Sequence, residues 1–210
     1  MTELEIIGAP QSIFVRSVRM VCAEKAVAYR FTPARPHSPE VDCIHPFGKI
    51  PVMRHGGFTL FESKAIATYI DRAFPGPKVI PEDAMLCGQA EQWVSVLNTT
   101  IFPSFITYFL GYFFPKTADG APDRQSIEGS LPDLRNHFTI LERAIAKTGY
   151  LAGPEFTYAD IDLLPSLAYL AELPESAELL KTTPSLSRYF TDHCQRASFV
   201  ATKPPPMTKA

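Results

Sequence analysis

The sequence predicts an α/β domain followed by an all-α domain, and three observations carry that expectation. Strand and helix signals alternate through residues 1–77, helical spacing without a strand pattern fills the remainder, and the breakers Phe74-Pro75-Gly76-Pro77 stand between them. The expected division is therefore residues 1–77 and 88–203, with 78–87 as a linker. The first strand is Leu4-Glu5-Ile6-Ile7, ended by Gly8-Ala9-Pro10. Val15, Val18, Val21 and Cys22 then recur at helical spacing through about Ala26. Tyr29-Arg30-Phe31-Thr32 reads as a second strand, so the three elements fit a right-handed crossover between parallel strands. Pro51-Val52-Met53-Arg54 and Phe58-Thr59-Leu60-Phe61 are joined by His55-Gly56-Gly57, which supplies the positive φ angles of a tight hairpin. A helix over Glu62 to Ala73 closes the domain.

In the second domain Leu86, Ala90, Trp93, Val94, Leu97 and Ile101 keep helical spacing, as do Leu134, Phe138, Leu141 and Ile145 before Gly149. Pro103, Pro132 and Pro165 fall inside apparent helices, each as a kink or a first-turn residue. Thr157 with Asp160 reads as an N-cap and its third-position partner, flanked by a hydrophobic staple of Phe156 and Ile161. The tail Lys203-Pro204-Pro205-Pro206 cannot extend a helix.

Composition narrows the function. With 46% hydrophobic and 20% charged residues the 210-residue chain is globular, and 20 Lys plus Arg against 22 Asp plus Glu give no basic footprint for nucleic acid or an anionic membrane. The opening Met1-Thr2-Glu3-Leu4-Glu5 lacks the charged and apolar regions of a leader, so a cytoplasmic location is expected. The apolar run Ile101 to Phe114 falls short of the roughly 20 residues a bilayer span needs. Cys22, Cys43, Cys87 and Cys194 are widely spaced with no C-x-x-C, which suggests buried or idle thiols. His37, His45, His55, His137 and His193 show no ligand spacing, so no metal is expected. Neither G-x-S-x-G nor a glycine-rich phosphate loop is present.

Three junctions remain. Ser12 stands at the start of the first helix, where free N–H groups favour an anion, although Ser12 or Gln11 could simply cap that helix. Glu62 and Ser63 stand at another strand-to-helix junction, suited either to capping or to an ammonium and a carboxylate. Between them, Phe47-Gly48-Lys49-Ile50-Pro51-Val52 could carry a cis bond that turns the Ile50 backbone toward a peptide ligand.

Gly8-Ala9-Pro10-Gln11-Ser12, His45-Pro46-Phe47-Gly48-Lys49-Ile50-Pro51 and Phe61-Glu62-Ser63-Lys64-Ala65-Ile66, in that order, resemble the N-terminal, thioredoxin-like domain of glutathione S-transferases. Thr157 to Leu164 resembles the capping box and staple of that family's helical domain, and the serine position is most similar to phi-class and related bacterial enzymes. The resemblance implies a βαβ-α-ββα domain, a helical domain and glutathione as co-substrate. It implies that Ser12 donates to the glutathione sulfur and holds it as thiolate, that the Ile50 backbone pairs with the cysteinyl part, that Pro51 is cis, and that Glu62 with Ser63 holds the γ-glutamyl end. Lys49 could reach the glycyl end; His37 is a weaker candidate for it, and His45 stands where the family usually has Asn.

An electrophile pocket between the domains is expected to draw on Ile13, Phe14, Phe105, Tyr108, Phe109 and Tyr112, about half of the aromatic run from Phe102 to Phe113 being core. Arg16 and Arg19, one turn apart, are expected in structural ion pairs. The expected reaction is conjugation of glutathione to a hydrophobic electrophile, in a detoxifying homodimer with faces around the third and fourth helices. Glutathione-dependent peroxidase activity and a non-catalytic carrier of hydrophobic ligands are the alternatives; disulfide reduction is disfavoured because Ser12, not Cys, begins the helix.

Overall fold

The computed structural model describes residues 3–115, 117 and 119–207, which form two compact units. The first holds β1 (Leu4–Gly8), α1 (Ile13–Glu24), β2 (Arg30–Pro33), α2 (Pro39–Asp42), β3 (Val52–His55), β4 (Phe58–Phe61) and α3 (Ser63–Ala73). Its sheet has the order β2-β1-β3-β4, with β1 parallel to β2 and the other pairs antiparallel. This is the thioredoxin-like arrangement expected from the sequence.

β1 is buried along its whole length because both its faces are covered. Ile7 and Val52 meet Val41 of α2, while α1 and α3, which pack on each other, bring Val18, Val21, Ile66 and Ile70 into the core. Lys25, with a side chain 0% exposed, is held by Asp71 at 3.4 Å and by the Pro77 carbonyl at 3.0 Å, fixing the end of α1 to α3.

One helix of this unit comes from far along the chain. In α10 (Ala197–Ala201), the Phe199 carbonyl accepts from Arg16 Nη2 at 2.9 Å, and the Arg16 guanidinium lies 3.8 Å from the Phe199 ring centre. Glu24 accepts from Arg196 Nε and Nη2 at 2.9 and 2.8 Å and from Ser198 Oγ at 2.5 Å. Gln195–Pro205 therefore belongs with residues 1–82, whereas the sequence reading assigned chain to 203 to the helical domain. Helical periodicity says that a segment buries a face, but not against what. Arg19 also departs from its expected ion pair: it donates to the Tyr29 hydroxyl at 3.0 Å and lies over the Phe31 ring.

The second unit contains α4 (Ala84–Val96), α5 (Phe102–Phe113), α6 (Arg124–Thr148), α7 (Tyr158–Leu170), α8 (Pro174–Lys181) and α9 (Pro184–His193). A π-helical turn, Leu97–Ile101, joins α4 to α5 just before Pro103, whose missing N–H cannot serve the ordinary ladder. The resulting helix Ala84–Phe113 is long and apolar enough to cross a bilayer by length and composition, a longer span than the run Ile101 to Phe114. Within the unit it packs against α6 and α7. Pro132 and Pro165 lie inside α6 and α7, and Gly149, at φ +86°, ends α6.

α7 is the centre of this unit, with every residue but Ala168 and Tyr169 buried. Its start is the expected capping box: the Thr157 N–H donates to Asp160 Oδ2 at 2.9 Å, and the Thr157 hydroxyl accepts from Ala159 N–H at 3.3 Å. Asp160 Oδ1 also accepts from the Leu151 N–H and the Tyr189 hydroxyl, both at 3.0 Å. Burial pushes the Asp160 carboxyl up, and these donors pull it back.

Candidate active site

Sheet register gathers the three junctions. Ile7 of β1 pairs with Val52 of β3, and Val52 pairs with Phe61 of β4. The residues just beyond these pairs, Gly8 before α1, Pro51 before β3 and Glu62 before α3, therefore line one end of the sheet. Gly8 is required there: a Cβ on it would sit 2.5 Å from Val15 Cγ2 and 3.2 Å from Ile50 Cβ. That close approach brings the start of α1 against the Ile50 segment, and the Ile50–Pro51 bond is cis.

Ser12 is the half-buried N-cap of α1 and accepts from the Val15 N–H at a long 3.4 Å. Capping uses a lone pair of the oxygen, so the hydroxyl proton stays available to a second group. Glu62 has φ +70°, a left-handed conformation that costs a non-glycine residue about 1–3 kcal/mol. No side chain caps α3: Glu62 makes no capping hydrogen bond, and the hydroxyl of buried Ser63 has no partner among the described residues. The first N–H groups of α3 are open to a carboxylate.

Lys49 is exposed and forms no ion pair among the described residues. His37 is 74% exposed, with Nδ1 3.7 Å from Asp42 Oδ1, so a carboxylate already faces the ring expected to receive another. His45 is buried; its Nδ1 accepts from the Phe47 N–H at 3.1 Å and its Nε2 lies 3.6 Å from Glu62 Oε1. Of the cysteines, Cys22 lies in α1 with its thiol pushed up to about 12 by burial, against a smaller pull from Arg19, which makes it a poor nucleophile.

The expected pocket residues divide. Ile13 and Phe14, at the start of α1, are half-buried. In the second unit Phe105 is core, against Phe102, Phe138 and His137. Tyr108 is also core, donating to Glu175 Oε2 at 2.9 Å and accepting from the Ser176 N–H at 3.2 Å. Phe109 is half-buried between Phe113 and Tyr169, and Tyr112, half-buried, donates to Glu175 as well. Burial together with Glu175 raises the pKa of both tyrosines, holding them as hydroxyl donors. The sequence reading missed Glu175 and its partner Arg124, whose Nη1 lies 2.9 Å from Glu175 Oε1; the 50 residues of chain between them leave no local signature.

Residues 6–78 match the family of glutathione S-transferase N-terminal domains, and residues 98–197 match that of the C-terminal domains. The chain belongs to the glutathione S-transferase family. Glutathione S-transferase F10 of Arabidopsis thaliana is 32% identical over 163 residues, covering 77% of this chain and 76% of that one. Glutathione transferase F7 of Populus trichocarpa superposes with a TM-score of 0.87 at 26% identity, covering 95% of this chain and 97% of its own. A glutathione S-transferase of Methylobacillus flagellatus, solved with glutathione bound, superposes with a TM-score of 0.82 at 25% identity, covering 97% and 100%. The plant relatives agree with the phi-like character read from the serine position, and the transferase is accordingly an enzyme of this family.

Proposed function

We propose that this glutathione S-transferase conjugates glutathione to hydrophobic electrophiles, with the peptide held along the sheet end formed by Gly8, Pro51 and Glu62. One observation carries the reading: the register aligns these junctions at one end of the sheet, and Ser12, four residues after Gly8, caps α1 with a single long contact. A glutathione-bound relative with the same fold supports it.

In this reading Ile50 meets the cysteinyl backbone, Glu62 takes the γ-glutamyl ammonium, and Ser63 with the first N–H groups of α3 takes the γ-glutamyl carboxylate. Lys49 faces the glycyl carboxylate; Asp42 beside His37 makes that histidine the poorer choice. The thiol gives up its proton to solvent water, and its anion accepts from the Ser12 hydroxyl at the positive end of α1. A two-unit lowering of the thiol pKa needs about 2.7 kcal/mol of preference for the anion. The thiolate attacks the electrophilic carbon, the leaving group departs with the bonding pair, and no covalent enzyme intermediate forms. Ile13 and Phe14, half-buried at the start of α1, are the aliphatic and aromatic side chains that the first unit offers to the electrophile.

Replacement Ser12→Ala is expected to lower kcat/KM for a generic aryl halide roughly 100-fold, the kinetic equivalent of that preference. Retention of activity within twofold would remove Ser12 from the mechanism. The reading extends to a homodimer, supported by the outer side of β4 and α3, where Leu60, Ala65, Thr68, Tyr69, Arg72 and Ala73 border a mostly apolar depression of about 530 Å³. Light scattering should give twice the chain mass; a monomer at micromolar concentration would overturn the dimer.

A further inference from the structure

His45 is a histidine with one ring nitrogen committed and the other aimed. Its side chain is 2% exposed, tilted against the Phe61 ring at 4.6 Å, and its backbone is tied by His45 N–H to the Val41 carbonyl at 2.8 Å and by Gly48 N–H to the His45 carbonyl at 3.0 Å. The Phe47 N–H donates to Nδ1, so Nδ1 holds no proton and the ring proton of the neutral imidazole is on Nε2. Nε2 lies 3.6 Å from Glu62 Oε1. That separation is longer than a hydrogen bond, but it puts a fixed N–H dipole in front of one chosen carboxylate oxygen.

Glu62 needs such a guide. Its side chain is 66% exposed, so water alone would let the carboxylate swing, and its left-handed backbone fixes only the direction in which the side chain leaves the chain. No other charged group lies within ion-pair distance of His45 among the described residues. We infer that His45 is a positioning residue for glutathione: its Nε2–H dipole draws Glu62 Oε1 toward the ring and leaves Oε2 for the γ-glutamyl ammonium. The inference rests on the assignment of Glu62 to that ammonium. It predicts that His45 acts on affinity for the γ-glutamyl group, not on the chemical step.

The variant that separates this role from a structural one is His45→Asn. An Asn oxygen can accept from the N–H two residues on, as Nδ1 does now, but its amide is too short to reach Glu62. His45→Asn should raise KM for glutathione about fivefold, the loss of a nearby charge–dipole contact, with kcat within about twofold. Cysteinylglycine, which lacks the γ-glutamyl group, should show no change in KM, and in a Glu62→Gln background His45→Asn should have little further effect. In the wild-type enzyme, proton–nitrogen correlation of the His45 ring should show a protonated Nε2 whose resonance moves with glutathione and stays still with cysteinylglycine. This spectrum decides the matter should His45→Asn fail to fold. An unchanged glutathione KM, equal loss with both thiols, undiminished loss in the Glu62→Gln background, or a proton on Nδ1 would each overturn the role. If Glu62→Gln alone leaves glutathione KM unchanged, the assignment of Glu62 fails instead.

Discussion

The starts of α7 and of α1 and α3 are built from the same element and finished in opposite ways. At α7 the capping box is complete, and the Asp160 carboxylate also takes the Leu151 N–H and the Tyr189 hydroxyl, leaving that side chain no spare place for a ligand. At α1 the cap is a single long contact from a serine whose proton is uncommitted, and at α3 there is no side-chain cap. Helix N-termini attract anions wherever they occur. In α7 the chain supplies the anion itself; at α1 and α3 it supplies no carboxylate. The start of α8 resembles α7 in outcome: its Ser176 N–H is taken by the Tyr108 hydroxyl, and Glu175 in its first turn supplies a carboxylate.

The sharpest way to break this contrast is at the closed end. Asp160→Ala leaves buried N–H and hydroxyl groups without acceptors and should cost about 3–4 kcal/mol in chemical denaturation. A loss below about 1 kcal/mol would mean that the network at α7 is not what holds the second unit. The corresponding loss at the open end should be small, because the Ser12 cap is long: Ser12→Ala should cost less than about 1 kcal/mol of stability while reducing turnover heavily.

An effect between these two is expected at α8, with a pH signature. Burial pushes the Glu175 carboxyl up, but the hydroxyls of Tyr112 and Tyr108, its own N–H and Arg124 outweigh it and pull the value down to about 2. The folded pKa lies below the unfolded one, so the stabilisation is complete above about pH 4.5 and is lost as pH falls toward 2. Since the side chain is 24% exposed, the contribution is discounted to about 2 kcal/mol. Glu175→Gln should lower stability at pH 7 by that order and flatten the acid limb between pH 4.5 and 2. An unchanged acid limb would show that Glu175 titrates alike folded and unfolded.

These contrasts also mark what a sequence can carry. β4 and the α7 capping box were legible because their determinants lie within a few residues: a Gly-Gly turn between short apolar runs, and a Thr with an Asp three positions on. The junctions were legible as strand ends, and their alignment followed from the order of the strands. The sequence marks His45 only as an unusual residue in its motif, since its approach to Glu62 depends on how the segments after α2 and β4 meet. The bonds of Arg16 to Phe199 and of Glu24 to Arg196 join positions more than 170 residues apart, so no window of sequence contains them. Phe105 and Tyr108 were expected in the electrophile pocket and are spent in the core, because regular spacing of rings along α5 does not say which ring faces which neighbour.

The central claim is that the open start of α1 exists to hold a thiolate. It is tested most directly by titrating bound glutathione through its thiolate absorbance in the wild-type enzyme and in Ser12→Ala. The wild-type thiol should ionise about two units below that of the variant. Coincident titration curves in two folded, glutathione-saturated proteins would contradict the claim.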